Sequence, residues 1–219
     1  MADCFRIQLL CFEAVPSAEQ VLTAVSSLAG VKQVLLARVD DASSRAGMWT
    51  RDPLGRLPTG RIAIEVNEPT SRVVLQQLEG ALSASAYLCR VFEPLAIDLK
   101  PGETFDGTLQ LCCFQRQPML SDEDLKQYWL GDHTHVALET QSTQGYYQNW
   151  VLHSGQPNFD GIVEEYFPPA AADSVEVFFA ATGNPEQLQA HIKRMTTSTS
   201  RFINLAAAEV IHLTETRIL

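Results

Sequence analysis

The sequence predicts an α+β fold of two tandem ferredoxin-like βαββαβ units packed sheet to sheet, and three observations lead there. The segment Gln8-Leu9-Leu10-Cys11-Phe12 returns as Gln110-Leu111-Cys112-Cys113-Phe114, which reads as an internal duplication. A proline, Pro16 or Pro118, follows each copy, and after it comes a serine able to cap a helix. The strand-like and helix-like stretches beyond both copies then fall in the same order.

In the first half a strand over 3–12 leads to Ser17-Ala18-Glu19-Gln20. This approximates a capping box, whose side chains satisfy free backbone N–H groups, so a helix over 17–29 starts there. Strands over 31–39 and 60–66, a helix over 69–84 and a strand over 87–98 complete the unit. Asp98-Leu99-Lys100-Pro101-Gly102-Glu103 sets a Pro-Gly pair and charges between two strand-like runs, as a linker does. The boundary is therefore expected near Gly102, with one unit at 1–102 and the other at 103–219. A strand over 107–115 opens the second unit, and Ser121-Asp122-Glu123-Asp124 repeats the capping signal for a helix over 121–142. Strands over 145–153 and 161–167, helical material over 173–202 and a strand over 206–217 restore the order. Each unit forms a four-stranded antiparallel sheet with both helices on one face, and two such sheets can cover each other's bare faces.

Composition limits the function. With 46% hydrophobic and 19% charged residues among 219, the whole chain should fold. A formal charge of −10 gives no basis for neutralising phosphates, so nucleic acid is not an expected partner. The start lacks a basic region followed by a long apolar core, and no apolar stretch nears the roughly 20 residues that span a bilayer. A mature cytoplasmic protein away from membranes is expected. The five cysteines show no CxxC spacing, and Cys112 and Cys113 should point to opposite strand faces. They read as small buried hydrophobes in a reducing compartment, without disulfides or a zinc site.

From about Thr108 onward the motifs Leu120-Ser121, Tyr128-Trp129, His133 and Tyr146-Tyr147-Gln148-Asn149 follow one another, and then comes Phe159-Asp160-Gly161-Ile162-Val163-Glu164-Glu165-Tyr166-Phe167. In these the second half resembles the EthD domain family: a capped helix with a tryptophan four residues before a histidine, a Tyr-x-Gln-Asn strand and an Asp-Gly strand. The first half matches in order of elements and opening strand, as a degenerate copy. The resemblance implies an intrachain dimeric α/β barrel, a fold shared by polyketide cyclases, isomerases, lyases and oxidative enzymes. It does not fix the chemistry.

On the helix from Ser121, the positions Leu125, Tyr128, Trp129, Asp132, His133 and Val136 follow the spacing of a buried stripe, so His133 faces the sheet one turn beyond Trp129. An imidazole beside an aromatic wall is held neutral, as a general base requires, which makes His133 the leading catalytic candidate. The competing structural reading has His133 bond a strand carbonyl or Glu164 and lock the helix to the sheet. Tyr146, Asn149, Glu164 and Tyr166 lie on the two strands beneath, where alternation sends Tyr146 and Asn149 to opposite faces. Tyr146 is favoured for the cleft as the second catalytic group, since a hydroxyl there could stabilise an enolate or phenolate. Trp129, Tyr128, Asn149, Glu164 and Tyr166 form the expected substrate-binding set. Asp132 lies about 100° around the helix from His133 and reads as a rim charge. His135, His153, His191 and His212 show no ligand spacing, so neither metal nor cofactor is expected.

Aligning the copies sets Val25 opposite Trp129 and Ala29 opposite His133. The first unit should therefore lack the cleft and replace the second subunit of a symmetric dimer, with a further homodimer as an added option. The polar connection from Asp40 to Thr59 carries Trp49, Arg45, Arg51 and Arg56, with Arg61 beside it, and reads either as a solvated hairpin extension or as a device steering an anion. The leading expectation is a cofactor-independent cyclase, isomerase or lyase moving a proton on a small hydrophobic oxo or aromatic compound. One alternative is a non-catalytic auxiliary protein binding a hydrophobic metabolite, and another is a monooxygenase-like oxidoreductase of the same barrel group.

Overall fold

A computed structural model describes residues 4–219, so the expected first residue of the opening strand, residue 3, lies outside the described residues. The first half runs β1 (Cys4–Cys11), α1 (Ala18–Val25), β2 (Val31–Arg38), α2 (Asp41–Ser44), β3 (Gly60–Val66), α3 (Arg72–Leu82) and β4 (Ser85–Leu95). The second runs β5 (Thr108–Phe114), α4 (Asp122–Leu125), α5 (Thr134–Thr140), β6 (Gly145–His153), β7 (Gly161–Phe167), α6 (Val175–Phe178), α7 (Pro185–Thr199) and β8 (Glu209–Arg217). The βαββαβ order thus occurs twice, and both capping boxes form: Ser17 accepts from the Gln20 N–H and Ser121 from the Asp124 N–H.

The sheet orders are β4-β1-β3-β2 and β8-β5-β7-β6. The sheets do more than face each other, because β2 pairs antiparallel with β8 and β4 with β6, closing one eight-stranded barrel. Closure gives every edge N–H and C=O a partner strand, which an open pair of sheets would not. The expected linker follows β8, with the Gly102 N–H donating to the Arg217 carbonyl at 2.7 Å and the Arg217 N–H to that of Glu103 at 2.9 Å.

Strand alternation sorts the side chains into layers. Ile7 and Leu9 of β1 pack outward on Val21, Val25, Leu75 and Leu78 of the first-half helices, an aliphatic layer. Arg6, Gln8 and Leu10 turn into the barrel. Cys113 likewise joins Cys89 and Tyr147 inside, while Cys112 lies with Phe114 and Trp129 under the second-half helices. All five cysteines are free.

The barrel interior holds charges from both halves. Glu164 accepts from Arg6 Nη1 at 2.5 Å and from Gln8 Nε2, and Arg61 lies 3.5 Å from Glu164 and 2.6 Å from Glu215. Burial works against the Glu164 carboxylate, but Arg6 and Arg61 outweigh it and hold its pKa below the ordinary range. Glu215 goes the other way, raised by burial despite Arg61, and accepts the Tyr166 hydroxyl at 2.5 Å.

Two helical expectations change. The helix expected over 121–142 is α-helical only at its ends, α4 and α5, and π-helical over Lys126–His133 between them. The wider turn leaves carbonyls that need donors. Gln148 Nε2 donates to the Trp129 carbonyl at 3.0 Å, and Thr134 Oγ1 to that of Leu130 at 3.0 Å. The helical material expected over 173–202 splits into α6 and α7, because Asn184 caps a new helix whose first residue is Pro185.

Candidate functional site

Between the outer face of the second sheet and its helices lies a cavity of about 210 Å³. Its floor is built by register: Cys112 of β5 sits between Val163 of β7 and Val210 of β8, and in the next row Gln110 pairs with Glu165. The roof carries Trp129 and His133 from the π-helical stretch, Met195 from α7, and Phe202. Gln141 and Arg51 complete the wall.

Trp129 is wholly buried, edge-on to Phe114 at 4.8 Å and stacked with Trp150 at 6.2 Å. Gly161 permits this approach, since a Cβ there would lie 2.5 Å from the Phe114 ring and 2.6 Å from that of Trp129. The neighbouring Asp160 accepts from the Arg116 N–H at 3.0 Å and from its Nε at 2.9 Å, which ties the end of β5 to the start of β7. The Asp-Gly pair thus seats the tryptophan on the sheet.

His133 is 7% exposed, and its ring packs edge-on against Phe202 at 5.0 Å. Its Nδ1 lies 2.9 Å from Ser198 Oγ of α7, while Nε2 has no protein partner among the described residues. Burial pushes the imidazole down to about 4, so the ring is neutral at neutral pH. The partner anticipated for a purely structural histidine, a strand carbonyl or Glu164, is not the one it has.

Glu165 is the acidic group of this cavity. Burial pushes its carboxyl up to about 7, with Gln110 opposing by donating from Nε2 to Oε2 at 3.1 Å. Its Oε1 is buried and has no hydrogen-bond partner among the described residues.

The other expected site residues separate. Tyr146 faces the helices, as favoured, but lies wholly buried beside Glu165 in the sheet, its hydroxyl accepting from Gln148 Nε2 at 3.0 Å, and it does not line the cavity. Asn149, Glu164 and Tyr166 point into the barrel, on the far side of the sheet from His133, because they occupy the alternate strand positions. Tyr128 is half-buried on the outside, with the Arg201 guanidinium 4.0 Å over its ring, and Asp132 pairs with Arg201 at 2.9 Å. Trp129 and His133 are the two expected residues that meet in the cavity.

The connection from Asp40 to Thr59 keeps most of its residues exposed but docks on the second half through Trp49 and Arg51. Trp49 stacks on Phe178 at 4.0 Å and donates to the Ala171 carbonyl at 3.0 Å, and Arg51 exchanges backbone hydrogen bonds with Val210, both 2.9 Å. Arg51 also donates from Nε and Nη2 to the Leu205 carbonyl at 3.2 and 2.6 Å, which brings a first-half cation to a second-half cavity. Arg45 and Arg56 pair with Asp173 and Glu209, and Arg61 lies inside the barrel. Among the described residues no group of three His, Cys, Asp or Glu side chains is placed to hold a metal, and no helix is long and apolar enough to cross a membrane.

An anthrone oxidase-like protein has a similar fold, with a TM-score of 0.53 at 13% identity over 100% of this chain and 94% of its own. A variant chlorite dismutase from Candidatus Nitrospira defluvii in complex with cyanide aligns over 97% of this chain and 90% of its own, with a TM-score of 0.48 at 9% identity. No curated protein matches the chain. The family model for the EthD domain matches residues 117–196, which include Trp129, His133, Gly161 and Glu165. The second half of this chain therefore carries an EthD domain at residues 117–196.

Proposed function

We propose that the cavity between the second sheet and its helices binds a compact hydrophobic oxo or aromatic compound and that the protein moves a proton on it without a cofactor, in cyclase, isomerase or lyase fashion. The observation that carries this reading is the meeting of Trp129 and His133 on the wall of an apolar cavity with few polar groups. That is the ordinary make-up of a small-molecule site, here smaller than the usual range of about 300–1,000 Å³, which limits the ligand to a compact one. His133, neutral and with Nε2 free of protein partners, is the roof group that meets the ligand's oxygen.

The test is binding of aromatic ketones, read by ligand-observed NMR, to the wild-type protein and to Val163→Trp, whose indole would fill the cavity from its floor. Binding to the wild type that vanishes in Val163→Trp supports the reading, and equal binding to both overturns it. Binding with no turnover of any bound ketone would favour the auxiliary-protein alternative. The weak basicity of the buried His133 ring is the observation on that side.

A further inference from the structure

We propose that Glu165 is the proton-accepting residue of this cavity, that His133 acts opposite it as a neutral hydrogen-bond donor, and that the substrate is an uncharged, enolisable ketone presenting an acidic C–H to Glu165 Oε1. This rests on the reading of the cavity as a small-molecule site and goes on to assign its base and substrate class.

The geometry of Glu165 comes first. It stands on the cavity floor, its side chain is more than nine-tenths buried, and Oε2 is held by Gln110 while Oε1 is left without a partner. A buried carboxyl oxygen without a donor is costly unless something else supplies one. The cavity is where that donor can come from. The groups around the carboxyl are chiefly neutral: Tyr146 beside it on β6, Gln110 on β5 with His212 beyond it on β8, and His133 in the roof. Arg51 is the cation in the wall, and it is turned to the Leu205 carbonyl. Among the described residues no ion pair locks the carboxyl in one protonation state, and burial sets it near neutrality, where a general base is most effective.

His133 is the weaker base of the two by the same measure, because its ring gives up its proton near pH 4. In the tautomer whose Nδ1 accepts from the Ser198 hydroxyl, Nε2 carries the ring hydrogen and is the atom left to donate to a ligand in the cavity that His133 lines. A neutral imidazole donating to a carbonyl, with a carboxylate as base, is a recurring division of labour in proton transfer.

In the step itself, Glu165 Oε1 forms an O–H bond as the C–H bond beside the ketone breaks. The electron pair moves into a C=C bond and onto the carbonyl oxygen, giving an enolate that accepts from His133 Nε2–H. Return of the proton from Glu165 to the same carbon completes an exchange, and for a β,γ-unsaturated ketone its return to the γ-carbon of the dienolate completes an isomerisation, with no oxidant or second reactant. An uncharged ketone suits the site, since the floor offers an acceptor and the roof a neutral donor.

The experiment follows loss of the α-protons of 2-tetralone in D₂O by NMR, with binding measured in the same samples. The wild type should exchange them faster than buffer, with a rate rising through about pH 7 and then level. Glu165→Gln should fold and still bind the ketone but lose about 10²–10⁴-fold of the rate, the usual contribution of a general base. Glu165→Asp should recover part of the rate and keep its rise with pH. His133→Ala should be slower than the wild type but retain that rise. Wild-type exchange persisting in Glu165→Gln, or a bound ketone that the wild type does not exchange, overturns the assignment while leaving the binding reading intact. Absence of 2-tetralone binding to the wild type counts against both.

Discussion

His133 and Glu165 line one cavity and are both displaced by burial, but with opposite consequences for stability. Glu165 is raised from 4.5 to about 7, so its contribution is fully present below about pH 4.5 and lost as pH rises through 7. His133 is lowered from 6.5 to about 4, so its contribution is present above 6.5 and lost as pH falls through 4. Glu165→Gln should therefore gain on the wild type with rising pH, by up to about 3 kcal/mol at pH 8 compared with pH 4, since each tenfold change in a proton-binding constant is worth about 1.4 kcal/mol. Urea denaturation at the two pH values measures this, and parallel curves would mean that Glu165 is not buried as described. His133→Ala should cost only about 1 kcal/mol at neutral pH, because Ser198, in the last turn of α7, can turn its hydroxyl to a carbonyl one turn back. A loss of several kcal/mol in the same assay would make His133 a lock between helices. The histidine was legible in the sequence because its spacing from Trp129 marks a buried stripe. Glu165 was not, because choosing between adjacent glutamates needs the parity of β7, which only its pairing with β6 and β5 settles. Tyr146 lies opposite Glu165 in that register, so having placed Tyr146 toward the helices, the pairing would have named Glu165.

Among the elements, the π-helical stretch over Lys126–His133 does most to form the site. The carbonyl of Trp129 depends on Gln148, which also bonds the Tyr146 hydroxyl and lies within 3.3 Å of Thr134 Oγ1. Replacing Gln148 with Leu leaves the Trp129 carbonyl with only the longer side-chain contact from Thr134 Oγ1, at 3.4 Å, and removes the Gln148 donor from the Tyr146 hydroxyl. The expected loss is about 1–3 kcal/mol in chemical denaturation, together with weakened ligand binding as Trp129 shifts. Gly161→Ala tests the same seat from the strand side. Its Cβ would meet the Phe114 and Trp129 rings, so a loss of about 1–3 kcal/mol is expected, and a neutral result would show that the tryptophan is not held against β7. Strand boundaries were legible because alternation and capping serines act locally: the strands expected over 60–66, 145–153 and 161–167 coincide with β3, β6 and β7. The π-helical stretch left no such mark, since the donors that sustain it come from β6 and α5. The docking of Trp49 on Phe178 was equally hidden, because it joins residues more than a hundred positions apart.

At the scale of the whole molecule, the repeated order of elements was legible from the recurring opening strand, yet what holds the halves together was not. Closure places Arg6 and Arg61 of the first half against Glu164 and Glu215 of the second, inside a barrel that neither half can close alone. The arginines come from one half and the glutamates from the other, so the two halves differ in charge as well as in the cavity. Two second halves brought together would set carboxylates against carboxylates in the interior, with no guanidinium to offset them, and a buried charge without its partner costs about 3–5 kcal/mol. Such a fragment would also expose the edges of β6 and β8, each a template for aggregation. Residues 103–219 expressed alone should accordingly neither fold as a monomer nor assemble into a stable symmetric dimer at neutral pH. Co-expression with residues 1–102 should restore a soluble complex of both pieces, as read by size-exclusion chromatography with light scattering and by cooperative unfolding in circular dichroism. A monomeric 103–219 fragment that unfolds cooperatively would show that the EthD domain carries its own stability, and that the arginines of the first half are not what the interior carboxylates require.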